Sequence, residues 1–311
     1  MAKILITESV HPIGPELLTA AGHTVVYADR DMDIIRREIV DADAVLVRII
    51  ELPGSLLATA KNLKIVSKHG VGYDNIDLDY CKSHGIAVTI TPNANSLSVA
   101  EHAFTLMLTL AKNIIPVSNK YRMVGFAAKN HAPGLEMTGK TLGLIGMGRI
   151  GKHILHMCRD SLDMHVIVYD PYISEVPEGV EKVDDLSELL RRADVVTLHC
   201  LLTDETRKLI DRERLALMKP TALLINCARG PIVDEAALIE ALENGRLAGA
   251  GLDVTDPEPV APDSPLFKLP NVIVTPHYAP TTVESATRVS KIAAENINAV
   301  LAGQEPVGRI V

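Results

Sequence analysis

Short runs of four or five apolar residues recur along the chain, separated by longer stretches whose apolar residues fall at helical spacing. Lys3 to Thr7 reads as a strand, Pro15 to Ala21 as a helix closed by Gly22, and Thr24 to Tyr27 as a second strand. A helix at Ile34 to Val40, a strand at Ala44 to Val47, a helix at Leu52 to Thr59, a strand at Leu63 to Ser67, a helix at Leu78 to Ser83 and a strand at Ile86 to Thr89 continue the alternation. Strands apolar on both faces and joined by helices belong to a parallel sheet covered on both sides. Thr91-Pro92-Asn93-Ala94-Asn95 then breaks the pattern. Ser96 or Ser98 caps a helix from Val99 to Asn113 that Ala103, Phe104, Leu106, Met107, Leu108 and Leu110 make apolar on most faces, so it is expected to be buried or to lie in a subunit interface. Pro116 to Gly139 reads as an irregular, extended arm.

A second alternating series opens at Thr141 to Ile145, an apolar strand that runs into Gly146-Met147-Gly148-Arg149-Ile150-Gly151. In this GxGxxG run Gly146 makes the tight turn, Gly148 lets a pyrophosphate approach the backbone, and Gly151 lets the following helix pack close to the strand. Ile150, Ile154, Leu155 and Cys158 give that helix a sheet-facing stripe, and its N-terminus offers free N–H groups to phosphate. His165 to Tyr169 is the next strand, and Asp170 ends it 19 residues past Gly151, where an acid reaches the adenine ribose hydroxyls. A carboxylate there repels a 2′-phosphate, so NAD is favoured over NADP. Strands at Asp194 to His199, Thr221 to Asn226, Gly249 to Val254 and Val272 to Thr275 extend this sheet, with helices at Leu186 to Arg192, Arg212 to Leu217 and Glu235 to Glu243 and a long closing helix at Val283 to Leu301. The fold class is therefore α/β with two parallel sheets.

The chain has 311 residues, enough for two hydrophobic cores, and its 47% hydrophobic and 23% charged residues suit a folded globular protein. A net charge of −8 with no basic tract argues against nucleic-acid or acidic-membrane partners. No leader and no apolar run of spanning length is evident, which predicts a cytoplasmic protein. Cys81, Cys158, Cys200 and Cys227 lack CxxC spacing and the histidines lack HxxxH or HExxH spacing, so neither a metal site nor a disulfide framework is expected.

Candidate chemistry lies just past strand ends, where open α/β sheets bind ligands. Arg48 follows the third strand, and Lys68-His69-Gly70-Val71-Gly72 follows the fourth. This turn can offer N–H groups and a cation to a carboxylate, although the same residues also suit a plain glycine-rich turn. Arg229, Glu258 and His277 follow the strands ending at Asn226, Val254 and Thr275. A guanidinium holds a carboxylate through two parallel hydrogen bonds, a histidine passes a proton to or from a C2 oxygen, and a carboxylate beside it orients the ring and favours imidazolium. Singly, each also suits a solvated loop position.

The strings LLRRADVVTLHCLLTDETRKLID, MKPTALLINCARGPIVDE, AGAGLDVTDPEP and Thr275-Pro276-His277, with KHGVGYDNID, NANSLSVAEHAFTLML and GMGRIG, resemble the blocks of the NAD-dependent D-2-hydroxyacid dehydrogenases over nearly the whole chain. The resemblance is greatest to the catalytic part of D-3-phosphoglycerate dehydrogenases. It implies a Rossmann nucleotide-binding domain at residues 98–282, inserted into a flavodoxin-like, split substrate-binding domain at residues 1–97 and 283–311. It implies Arg229, Glu258 and His277 as the catalytic set, NAD as cofactor, and an anionic 2-hydroxy or 2-oxo acid as substrate. Cofactor contacts are implied for Gly146, Gly148, Arg149, Ile150, Gly151, Asp170, Cys200, Cys227, Ala228, Arg229 and His277, with Asp253 on the nicotinamide carboxamide. Substrate contacts are implied for Arg48, Lys68, Gly70, Val71, Gly72 and Arg229, and a homodimer through the nucleotide-binding domain. Lys68 stands where an arginine is usual, Leu201 where a proline is, Ala279-Pro280 where a glycine-containing turn is, and the chain ends at Val311 before any regulatory domain. Hydroxypyruvate, glyoxylate and sulfonated hydroxy acids are open as alternative substrates. An NAD(H)-sensing corepressor is the rival of a different class, and Glu258, where formate-specific members have glutamine, argues against formate.

Overall fold

The computed structural model describes residues 1–311. They form two compact units, Met1–Asn95 with Thr281–Val311, and Ser96–Pro280.

In the first unit β1 (Lys3–Ile6), β2 (Thr24–Tyr27), β3 (Ala44–Val47), β4 (Ile65–Lys68) and β5 (Ala87–Thr89) lie parallel in the order β2-β1-β3-β4-β5. β3 is buried at every position, which is why its sequence is apolar without alternation. The chain leaves β1 toward β2 on one side and returns to β3 on the other, so the crevice at their carboxyl ends is the switch point of the sheet. The last helix, Val283–Leu301, closes this unit. Its Ala293, Ala294 and Ile297 pack with Ile4, Ile6, Leu18 and Ile65, and Ala293 O accepts from Ser67 Oγ at 3.0 Å.

In the second unit β6 (Thr141–Ile145), β7 (His165–Tyr169), β8 (Val180–Lys182), β9 (Val195–Leu198), β10 (Leu223–Asn226), β11 (Gly249–Leu252) and β12 (Val272–Val274) form one parallel sheet in the order β12-β11-β10-β9-β6-β7-β8. Its switch point lies between β6 and β9, so the glycine turn stands where a doubly wound sheet binds its ligand. The helix Ser96–Ala111 lays Val99, Ala103, Leu106 and Met107 on the core formed with Leu144, Leu223 and Ile225. Gly251 admits it: a β-carbon there would lie 3.0 Å from Leu106 Cβ.

Two local expectations change, and one strand has no counterpart among the expected elements. The arm expected to be irregular is helical over Ile114–Val124 and 3-10 over Gly125–Asn130. Pro116 sits in the first turn, where its missing N–H has no partner to lose, so proline starts this helix instead of breaking it. The long apolar helix begins at Ser96. β8 has the polar sequence VEK and is a sheet-edge strand without an apolar run. No helix is long and apolar enough to cross a membrane.

Candidate active site

The glycine run behaves as its spacing requires. Gly146 has φ of +89°, and a β-carbon on it would lie 2.8 Å from His199 O and Cys200 N at the end of β9. A β-carbon on Gly151 would lie 2.3 Å from Gly146 O, while one on Gly148 would meet nothing within 4 Å. Two glycines are thus required by the protein's own packing, and the middle one borders open space. The helix Arg149–Leu162 starts there with no side chain capping it, so its first-turn N–H groups face that space. Asp170 Oδ2 accepts from Met147 N–H at 2.9 Å and Oδ1 from Tyr172 N–H at 3.0 Å, so this acid fixes the glycine turn. Burial pushes the Cys200 thiol up to about 11 and holds Cys227 well above the usual thiol range, leaving both as neutral packing groups.

At the end of β10, buried Asn226 shapes the turn that carries Arg229. Its Oδ1 accepts from Ala228 N–H at 3.0 Å and its Nδ2 donates to Arg229 O at 2.9 Å. Arg229 Nη1 donates to Ala228 O at 2.8 Å. Gly230 packs so closely on the next loop that a β-carbon would lie 1.9 Å from Thr255 O. Glu235 Oε2 accepts from Asp256 N–H at 3.0 Å and Thr255 Oγ1 donates to Pro257 O at 2.9 Å, which orders the loop that presents Glu258. Glu258 Oε1 and His277 Nδ1 then meet at 2.6 Å, with side chains 40% and 35% exposed. Glu258 and His277 are thus paired and partly exposed, and the Arg229 turn is packed against the loop leading to Glu258.

Asp253, for which the resemblance implies a carboxamide contact, is tied into the protein itself. It is 1% exposed, and its carboxylate accepts from Thr275 Oγ1 at 2.5 Å, Tyr278 N–H at 2.7 Å and Ala279 N–H at 2.9 Å. It therefore organises the turn carrying His277. Glu235, Thr275 and His102 escaped notice in the sequence because each acts by a hydrogen bond to another element, which no local spacing announces, whereas Asn226 bonds only two and three positions ahead, an Asx-turn signal that could have found it.

In the first unit the carboxyl ends of β1, β3 and β4 carry a separate polar cluster. Glu8, 1% exposed, accepts from Arg48 N–H at 2.7 Å, Ile49 N–H at 2.8 Å and Ile50 N–H at 3.2 Å. Lys68 is buried, and its ammonium donates to Arg48 O and, at 2.6 Å, to Asn75 Oδ1. Lys68 thus braces the Arg48 loop. Arg48 Nη1 reaches Ser9 O at 2.9 Å on the half-exposed side of this loop. Gly70 has φ of +141°, a region that side-chain-bearing residues rarely enter, and its carbonyl is held by Thr91 N–H at 2.8 Å. Val71 and Gly72 are half-buried beside it. His69 Nε2 is buried without a partner, and burial, then the charge of Arg48, lower its ionisation to about 3.

Residues 104–279 match the family model described as D-isomer specific 2-hydroxyacid dehydrogenase, NAD binding domain. The chain is 42% identical over 308 residues to a D-3-phosphoglycerate dehydrogenase of Methanocaldococcus jannaschii, covering 98% of this chain and 58% of that protein. It spans little more than half the length of the phosphoglycerate dehydrogenases it matches. A glyoxylate reductase of Thermofilum pendens is 38% identical over 98% of this chain and 93% of its own. An NADPH-dependent glyoxylate/hydroxypyruvate reductase from Sinorhizobium meliloti, solved with NADP and malonate, superposes with a TM-score of 0.90 at 29% identity, over 100% of this chain and 97% of that one.

Proposed function

The chain belongs to the D-isomer-specific 2-hydroxyacid dehydrogenase family, and from that premise we propose that it interconverts a 2-oxo acid and its D-2-hydroxy acid. The observation that carries this reading is the Glu258–His277 pair at 2.6 Å, on a loop ordered against the Arg229 turn. Bound NAD(H) supplies the hydride acceptor or donor, and the chain supplies orientation and proton transfer. Gly146, Gly148, Gly151 and the uncapped start of Arg149–Leu162 fit its pyrophosphate, and Asp170 fits its adenine ribose. Arg149, Ile150, Cys200, Cys227 and Ala228 line the strand ends on which it lies.

Arg229 holds the substrate carboxylate and fixes the angle at which C2 is presented. The backbone N–H groups of Gly70, Val71 and Gly72 contribute to carboxylate binding, and Arg48 reads a further polar or anionic group. In reduction, His277 Nε2 gives a proton to the C2 oxygen, and Glu258 stabilises the imidazolium beforehand. In oxidation the same nitrogen takes the proton back.

The phosphoglycerate-like reading rests on Arg48. A smaller substrate, glyoxylate or hydroxypyruvate, is favoured by a specific observation: the Lys68 ammonium, the second cation of that crevice, is engaged inside its own unit. The protein works in the cytoplasm as a homodimer, a reading supported by four unpaired cysteines and by the helix Ile114–Val124, none of whose residues is buried.

The test is NADH consumption with glyoxylate, hydroxypyruvate and 3-phosphohydroxypyruvate, in wild type and Arg229→Ala. Turnover with at least one acid is expected, with a sharp rise in KM and a fall in kcat in the variant. Tight NADH binding without turnover of any 2-oxo acid would overturn the enzyme reading.

A further inference from the structure

His277 adopts φ of +51°, left-handed backbone that a residue with a β-carbon avoids unless its surroundings impose it. Asp253 imposes it. Its carbonyl accepts from His277 N–H at 2.8 Å, and its carboxylate takes the next two N–H groups of the turn, those of Tyr278 and Ala279, at 2.7 and 2.9 Å. The carboxylate can grip both only if its plane is fixed, and the group that fixes it is Thr275 Oγ1, 2.5 Å from Oδ1.

Behind Thr275 stands His102, on the helix Ser96–Ala111. Its Nε2 lies 3.0 Å from Thr275 Oγ1 and 3.5 Å from Asp253 Oδ1, and its ring meets that of Tyr278 edge-on at 6.2 Å between centroids. Threonine has one hydroxyl hydrogen, and the short contact to a carboxylate, which only accepts, consumes it. The His102–Thr275 contact must then be donated by the histidine, so Nε2 carries a hydrogen. The donors converge on one carboxylate: His102 Nε2–H gives to Thr275 Oγ1, Thr275 Oγ1–H gives to the Asp253 carboxylate, and the N–H groups that follow His277 give to the same carboxylate. His102 itself is anchored on a helix buried against the sheet.

We propose that His102 and Thr275 are positioning residues for His277, setting through Asp253 the backbone turn that aims the catalytic imidazole at the C2 oxygen. Without the donor from His102 the threonine hydroxyl can rotate away, the carboxylate loses its fixed plane, and the turn relaxes toward ordinary backbone angles. The His277 nitrogen then moves off the reacting oxygen while the cofactor contacts at the glycine turn stay in place. The inference rests on the reading of His277 as the proton carrier.

The test compares His102→Phe, which keeps the ring against Tyr278 but removes the donor, with His102→Gln, which restores one, and Thr275→Val with Thr275→Ser. Each is measured in 2-oxo acid reduction for kcat and by fluorescence titration for NADH affinity. His102→Phe is also combined with His277→Ala, because a residue that acts only through His277 has nothing left to position there. Expected are a roughly tenfold loss of kcat in His102→Phe and Thr275→Val with NADH affinity within twofold of wild type. His102→Gln and Thr275→Ser should recover most of the loss, and His102→Phe should cost nothing further in the His277→Ala background. Wild-type kcat in both His102→Phe and Thr275→Val overturns the inference, as does a tenfold loss that persists without His277. Should His102→Phe fail to fold, Thr275→Val and its double variant decide alone. Near-normal kcat in His277→Ala is a different result: it removes the proton-carrier reading and this inference with it.

Discussion

Glu258 Oε1 and His277 Nδ1 stand 2.6 Å apart, and because an ionised carboxylate only accepts, the hydrogen lies on Nδ1 and Nε2 is the nitrogen left for chemistry. His277→Ala should lower kcat by about a hundred- to ten-thousandfold, the worth of one acid-base group, with NADH binding nearly intact. Glu258→Gln keeps the shape but removes the charge that favours imidazolium. Reduction of a 2-oxo acid consumes imidazolium, so kcat for reduction should fall in this variant with NADH binding nearly intact. Steady-state rates of the three proteins check this, and wild-type kcat in both variants would assign the proton to another group.

Asp170 has two tasks that one substitution separates. Its charge opposes a 2′-phosphate, so wild-type kcat/KM should favour NADH over NADPH by about a hundredfold, or about 2.7 kcal/mol. Asp170→Asn removes the charge while keeping an oxygen for Met147 N–H, 2.9 Å away. It should narrow that preference with little change in thermal stability, whereas Asp170→Ala should narrow it and raise the KM for NADH as the glycine turn loosens. Equal efficiency with both cofactors in wild type would refute the role of Asp170.

The glycine run was legible in the sequence because its three constraints are local: turn, approach and helix packing all lie within six residues. Both parallel sheets were legible for a similar reason, since a strand buried on both faces has no polar positions to hide it. Glu8 was not legible, because its partners lie 40 to 42 positions away at the end of β3. The bracing role of Lys68 was hidden for the same reason, since Arg48 O, 20 positions away, is one of the two groups its ammonium holds. Pro116 misled in the opposite direction, since proline breaks a helix in its interior but not in its first turn.

Lys68→Met therefore tests a structural role. It leaves Asn75 Oδ1 and Arg48 O without their buried donor, which should destabilise the first unit by about 1–3 kcal/mol in denaturant unfolding. Arg48→Ala should instead raise the KM for the 2-oxo acid with stability nearly unchanged. An unchanged unfolding midpoint in Lys68→Met, with a raised KM, would return Lys68 to the substrate.

The helix Ile114–Val124 presents Ile114, Tyr121, Met123 and Val124 to solvent, and Phe126 beyond it is 76% exposed. The proposed homodimer would cover this patch. Sedimentation should give twice the 33.6 kDa of one chain, and Met123→Glu with Phe126→Glu should give a single chain. A 33.6 kDa wild-type species at micromolar concentration would refute the dimer.

His199, at the end of β9, is a second buried imidazole. Its Nε2 meets Thr197 Oγ1 at 2.8 Å, its Nδ1 is buried without a partner, and burial lowers its ionisation from 6.5 to about 3. Between those two values the unfolded chain binds a proton that the folded chain refuses, so the unfolded state gains as pH falls. The stability is complete above 6.5 and is lost progressively toward 3, at up to about 1.4 kcal/mol per pH unit. His69, lowered to about 3 by burial and Arg48, adds the same dependence to the first unit. Replacing His199 by glutamine, which keeps a polar group for Thr197 but cannot titrate, should flatten the acid dependence of the second unit's unfolding midpoint. His69→Gln should do so for the first unit alone. If wild type and His199→Gln lose stability in parallel from neutral pH to pH 4, the buried imidazole is not the acid-sensitive group.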